Sequence, residues 1–209
     1  MRYIKIITLT FLILFSTINL LAQDGERGGI IKTDKGILII WNEPKNNYTL
    51  EIKGNKIKPI PDKRIMFLAD GKFLQLMTVP KKDFLKKAQK QDLDDKAILA
   101  AHRDWEAQYL GTVFKETLKV DSSWQKLSNK TDALWWSFEM PSKTNSQAKK
   151  QVYLIVSKGD YILLLNSVVT EKVDEKTVQQ FLMDTMATLK INKKPLSLKR
   201  AQEQILKEN

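Results

Sequence analysis

The chain has no cysteine and one histidine, His102, among its 209 residues. The first absence excludes disulfides, thiolate-bound zinc, iron–sulfur clusters, thiol nucleophiles and a lipidated cysteine anchor. The second excludes a His/Cys metal cluster and leaves one histidine base for any serine nucleophile. Stability must come from the core alone, and the chain is long enough to build one without covalent staples. Glycine-rich phosphate loops, a G-x-S-x-G elbow and a dinucleotide fingerprint are also missing. Arginine is scarce and the aromatics fall in core positions, whereas nucleic-acid binding favours arginine with exposed, interleaved aromatics. Nucleic acid is therefore not an expected partner.

What is present begins with a leader. Arg2 and Lys5 precede an apolar core from Ile6 to Phe15, and Leu20, Leu21 and Ala22 offer a cleavage site before Gln23 or Asp24. Residues 1–22 read as a signal peptide. Ile6 to Ala22 is uncharged and sits at the short end of the ~17–25 residues that span a bilayer, so an uncleaved anchor is the alternative. Export predicts a periplasmic or extracellular protein with no transmembrane segment after cleavage. The lack of disulfides favours a bacterial envelope. The net charge is +11, and losing Arg2 and Lys5 leaves the remainder strongly basic, which favours anionic neighbours.

Strands dominate the first half. "GILIIW" and "YTLEI" flank "NEPKNN", a hairpin pattern, and "RIMFLADGKFLQLMTV" repeats it around Asp70-Gly71, the strongest short turn signal in the chain. Two prolines in "GNKIKPIPDKR" argue against a central strand there and for a surface connection. After Pro80, "KKDFLKKAQKQ" predicts a short exposed helix. In "DLDDKAILAAHRDWEAQYLG", Asp92 is placed to cap a longer helix whose stripe runs through Ile98, Ala101, Trp105 and Tyr109 and which stops at Gly111. In "VDEKTVQQFLMDTMATLKI", Asp174 caps, Val173 and Val178 form a staple, and Val178, Phe181, Leu182, Met186 and Leu189 make the buried stripe. Beyond Pro195, Leu198, Ala201 and Ile205 allow a further amphipathic turn or two.

The strands between these helices decide the architecture. In "ALWWSFEM" the positions Leu134, Trp136, Phe138 and Met140 share one face, because successive strand residues point to opposite sides. "QVYLIVSKGDYILLLNSVV" turns at Lys158 to Asp160, and both its arms are apolar on both faces. A sheet apolar on two faces needs two covers, and the helices carrying Trp105 and Phe181 supply them. The expectation is an α+β fold, a three-layer α/β/α sandwich around a mainly antiparallel sheet, with Trp135 packed beneath a helix edge.

The capped helix, "FKETLKV", "ALWWSFEM", the hairpin "VYLIVSKGDYILLLNSVV" and the final helix ending in "MATLKI" together resemble the C-terminal half of PsbP/Mog1-like domains. The resemblance covers Leu93 to Asn192. It implies residues 23–192 as a single PsbP/Mog1-like domain, with 193–209 as a basic tail or short helix. It also implies a noncatalytic binding or accessory role through a protein partner, with no catalytic motif to carry over.

The candidate residues are few. Lys81, Lys82, Lys86, Lys87 and Lys90 form a candidate patch for an anionic membrane, cell-wall or glycan surface, with an ordinary solvated surface as the plain alternative. Ser137 and Glu139, on the more polar side of their strand, are the candidate partner surface. His102 falls on a helical apolar stripe and is expected to be partly buried with one satisfied nitrogen. Asp92, Asp94 and Asp95 suit a helix N-terminus; the alternative is a carboxylate-dependent hydrolase, which needs two acids about 5 to 10 Å apart in a cleft. No catalytic, metal or cofactor residues are assigned.

Overall fold

The computed structural model describes residues 28–42, 47–60, 63–85, 93–144 and 147–208; the predicted signal peptide, residues 1–22, lies outside them. In chain order the elements are β1 (Gly28–Thr33), β2 (Gly36–Asn42), β3 (Asn47–Lys53), β4 (Ile57–Ile60), β5 (Lys63–Ala69), β6 (Lys72–Pro80) and α1 (Asp95–Phe114). There follow β7 (Val120–Lys126), β8 (Asp132–Glu139), β9 (Ala148–Lys158), β10 (Tyr161–Thr170), α2 (Glu175–Ala187), β11 (Lys190–Asn192) and α3 (Leu198–Glu208). One sheet has the order β4-β5-β6-β10-β9-β8-β7 and the other β1-β2-β3-β11, every pairing being antiparallel. Mixed helices and antiparallel sheets, with the sheets dominant, make this an α+β fold.

The turn chemistry acts where the residues place it. Asp70 and Gly71 take φ of 47° and 81° between β5 and β6, the two positive values that a type I′ hairpin turn requires. The segment "IKPI", Ile57–Ile60, forms β4, an edge strand rather than a bare connection. Pro59 is tolerated there because the outer side of an edge asks for no backbone donor.

Both faces of the large sheet are covered. On one, Leu134, Trp136, Phe138, Tyr153, Ile155, Ile162 and Leu164 meet Ile98, Leu99 and Leu110 of α1. On the other, Trp135, Leu154, Val156, Leu163 and Leu165 meet Val178, Phe181, Leu182 and Met186 of α2 together with Leu50 and Ile52 of β3. The second cover is thus a helix and the small sheet side by side, where the sequence pattern supplied the helix alone. Trp136 is fully buried and Trp135 is 5% exposed, beneath α2. The outer face of the small sheet packs Ile31 and Ile40 against Ala201 of α3.

Helix ends follow local hydrogen bonding. Asp174 Oδ1 accepts from the Thr177 N–H at 2.9 Å, and Val173 packs into the same core as Val178. On α1 the cap is Asp94, accepting from the Ala97 N–H at 2.7 Å; Asp92 lies outside the described residues. The helix also runs through Gly111 instead of stopping there. A Cβ at 111 would lie 2.9 Å from the Glu116 carbonyl oxygen, so the glycine makes room for the returning chain. The stop is Lys115, held left-handed at φ 58°. A Cβ is disfavoured in that conformation. Lys115→Gly is therefore expected to stabilise the fold by about 0.5–1 kcal/mol, raising the thermal midpoint by about 1–4 °C; a lowered midpoint would contradict this reading of the helix end.

Candidate functional site

Folding divides the predicted lysine segment. Lys81–Asp83 form a single 3-10 turn after Pro80. The Lys81 ammonium turns inward to 3.8 Å from Asp95, leaving its side chain 12% exposed. Asp95 also accepts from Ser157 Oγ at 2.5 Å, so this lysine helps seat the start of α1 on the sheet. Lys82 is exposed, and Lys86, Lys87 and Lys90 lie outside the described residues. Farther along, Lys150 bridges Glu175 at 2.8 Å and Glu139 at 3.4 Å. The Glu175 hydrogen bond, aided by the charges of Glu175 and Glu139, holds its pKa above the usual lysine value.

The predicted partner surface needs correction. Ser137 is 1% exposed, because it shares the strand face of Trp135 and that face is covered by α2 and the small sheet. Glu139 is exposed but tied to Lys150. A polar residue on a strand marked the wetter face only if that face was open, and here it is not.

Beneath α1 lies a cluster that the sequence reading placed only in part. The buried stripe is Ile98, Leu99, His102, Glu106 and Leu110, turned by about one residue from the predicted one, so that Ala101, Trp105 and Tyr109 flank it. His102 is fully buried and Glu106 is 4% exposed. Among the described residues, neither His102 nitrogen, nor Glu106 Oε2, nor Trp136 Nε1 has a hydrogen-bond partner; His102 was expected to have one nitrogen satisfied. It packs instead edge-on against Phe84, ring centroids 5.1 Å apart. Burial pushes His102 down from 6.5 to about 4 and Glu106 up from 4.5 to about 7. Tyr153 is driven well above 10 by burial and then by Glu106, against a hydrogen bond with Asn166.

A carboxyl that holds its proton near neutrality suits general acid chemistry. Glu106 is nevertheless sealed between α1 and the sheet. The open groove beside it is walled by Ala107, Gln108, Gly111, Thr112 and Glu116, and Glu106 is not among its lining residues. The cluster therefore bears on stability and its pH dependence rather than on a substrate. Among the described residues, no group of three or more His, Asp or Glu is arranged to hold a metal ion.

The exposed feature with recognition chemistry is β7. Its register with β8 runs unbroken from Val120↔Phe138 to Lys126↔Asp132, and only Val120 and Gln125 are partly buried. Trp124 is 44% exposed, with the Lys96 ammonium 5.3 Å from its ring centroid. Arg103 donates to Ser122 Oγ at 2.9 Å. One side of this strand is thus an aromatic face bordered by cations from α1, and its outer side is a sheet edge. The sequence signal was weak: "VDSSWQK" alternates Val120, Ser122 and Trp124 on one face, but serine interrupts the apolar pattern.

No family model and no curated protein matches this sequence. The fold is similar to the solution structure of cyanobacterial PsbP (CyanoP) from Synechocystis sp. PCC 6803, at 9% identity over 82% of this chain and 99% of that one, with a TM-score of 0.47. The likeness is one of fold. It carries nothing about family, partner or activity. Among the described residues no helix is long and apolar enough to cross a membrane.

Proposed function

We propose that the chain is an exported, noncatalytic binding or accessory protein of the cell envelope that acts through a protein partner. The observation that carries this reading is Trp124, a large aromatic 44% exposed on a sheet-edge strand. Aromatic side chains beside cations are enriched in protein interfaces and supply most of their binding energy. The leader supports export, and the resemblance of the second half to PsbP/Mog1-like domains implies an accessory role. The lysine surface draws acidic partners into encounter.

The full chain, tagged at its C-terminus and recovered from native membranes at low salt, is expected to retain one partner in stoichiometric amount. Trp124→Ala is expected to lower that retention about tenfold or more, the effect of losing about 1.4 kcal/mol or more at an interface anchor. No stoichiometric partner, combined with salt-sensitive sedimentation on acidic vesicles, would replace this reading with peripheral attachment to an anionic surface through lysine clusters. Measurable hydrolytic turnover lost on Asp94→Asn or Asp95→Asn would replace it with the carboxylate-hydrolase reading.

A further inference from the structure

Among the described residues the two sheets have four edge strands, β4, β7, β1 and β11, and three differ from the fourth. Native sheets guard their edges with short strands, prolines, bulges or covering elements, because a free edge is a template for another strand. β4 has four residues, contains Pro59 and shifts register between Pro59 and Ile60. β11 has three residues. β1 opens on Gly28 and Gly29 and is overlain by α3, with Leu198 packed on Gly29. β7 has seven residues in continuous one-to-one register, with neither proline, glycine nor bulge. Among the described residues, 120–126 make no backbone hydrogen bond beyond the β8 ladder.

We infer that β7 receives an extended acidic segment of the protein partner, which adds to the large sheet as a further antiparallel or parallel strand. This inference rests on the protein-partner reading above and gives that partner its chemistry. Strand addition takes its affinity from main-chain hydrogen bonds and its specificity from alternate side chains. The incoming residue beside Trp124 packs on the exposed indole, as cross-strand neighbours do. The acidic character follows from the surroundings: Lys96, Lys119, Lys126 and Lys130 are exposed around the strand and outnumber the nearby Asp121 and Asp132. Lys126 and Asp132 already pair at 2.8 Å, which leaves the local field positive. A second copy of the chain would bring the same lysines and a net charge of +11 against this edge.

The test uses the full chain and two blocked synthetic peptides, one alternating Glu and Val over eight residues and its Lys/Val counterpart. Amide hydrogen exchange should slow at alternating residues of β7 with the Glu/Val peptide and not with the Lys/Val peptide. Raising salt from about 0.02 to 0.5 M should weaken the effect about tenfold, because exposed charges are screened. Trp124→Ala should weaken binding about tenfold. Neighbouring strand residues point their N–H groups to opposite sides, so one of Ser122→Pro and Ser123→Pro removes an outward donor and leaves the β8 ladder intact. The variant that keeps the native thermal midpoint should abolish the protection. The inference is overturned by protection outside β7, by equal protection with the Lys/Val peptide, by no protection at millimolar peptide, or by a dimer of the chain that Trp124→Ala dissolves. If the native partner is captured but both β7 variants still retain it, strand addition fails while the protein-partner reading stands; if no partner is captured, that reading fails first.

Discussion

Trp136→Ala should destabilise the fold by about 3–5 kcal/mol, the usual range for emptying a large buried aromatic site. Trp136 is fully buried and lies flat on Tyr153, with ring centroids 3.9 Å apart and planes within 3°. Phe138 stacks beside it at 6.3 Å, so the cavity would be walled by rigid rings that cannot collapse into it. A domain of this size has about 5–15 kcal/mol of stability in total. At about 1–3 kcal/mol per molar urea, the unfolding midpoint should fall by about 2 M. An unchanged midpoint would mean that the indole does not occupy the interlayer between α1 and the sheet.

The second large effect concerns Glu106 and the pH at which the fold is measured. Its pKa is raised from 4.5 to about 7 in the fold, so the native state keeps a proton that the unfolded chain has already released. The resulting stability is fully present below pH 4.5 and is lost as pH rises to about 7. His102 runs the other way: its pKa falls from 6.5 to about 4, so its share is present above pH 6.5 and is lost as pH falls to about 4. Between pH 4.5 and 6.5 the two slopes oppose and largely cancel, and the native chain should show a nearly flat profile there from this pair.

Single substitutions should separate them. Glu106→Gln removes the ionisable acid and should raise stability at pH 8 by about 3 kcal/mol, at about 1.4 kcal/mol for each tenfold change in ionisation, while changing little at pH 4. The remaining slope should then rise with pH from 4 to 6.5. His102→Gln should cost little stability at pH 7 and leave a profile that falls from pH 4.5 to 7. Parallel profiles for the two variants would show that these groups are not buried together beneath α1.

The paired hairpins were legible because their turn residues have a single low-strain use. Asp70-Gly71 needed positive φ twice, and Gly159 between β9 and β10 takes φ 53°. The two-faced apolar strands β8, β9 and β10 required two covers, which fixed the layering before any contact was known. The small sheet was only half legible, since β11 has three residues and owes its existence to β3, not to any pattern of its own. On α1 the predicted stripe through Ile98, Ala101, Trp105 and Tyr109 left Glu106 out, although Ile98, His102, Glu106 and Leu110 repeat every four residues. Burial of Glu106 is set by the tertiary packing of Tyr153 and Trp136 above the sheet, which no single helix records. β7 was not legible because an edge strand needs few apolar residues, and its one large aromatic remains exposed.

The claim that β7 is the recognition edge is tested most directly by site-specific photo-cross-linking in the native cells. A photoreactive residue in place of Ser123, at the centre of β7, is compared with one in place of Lys172, exposed at the β10–α2 connection. One discrete adduct with a single protein is expected from position 123 and none from position 172. No adduct from position 123, or the same adducts from both positions, would contradict it.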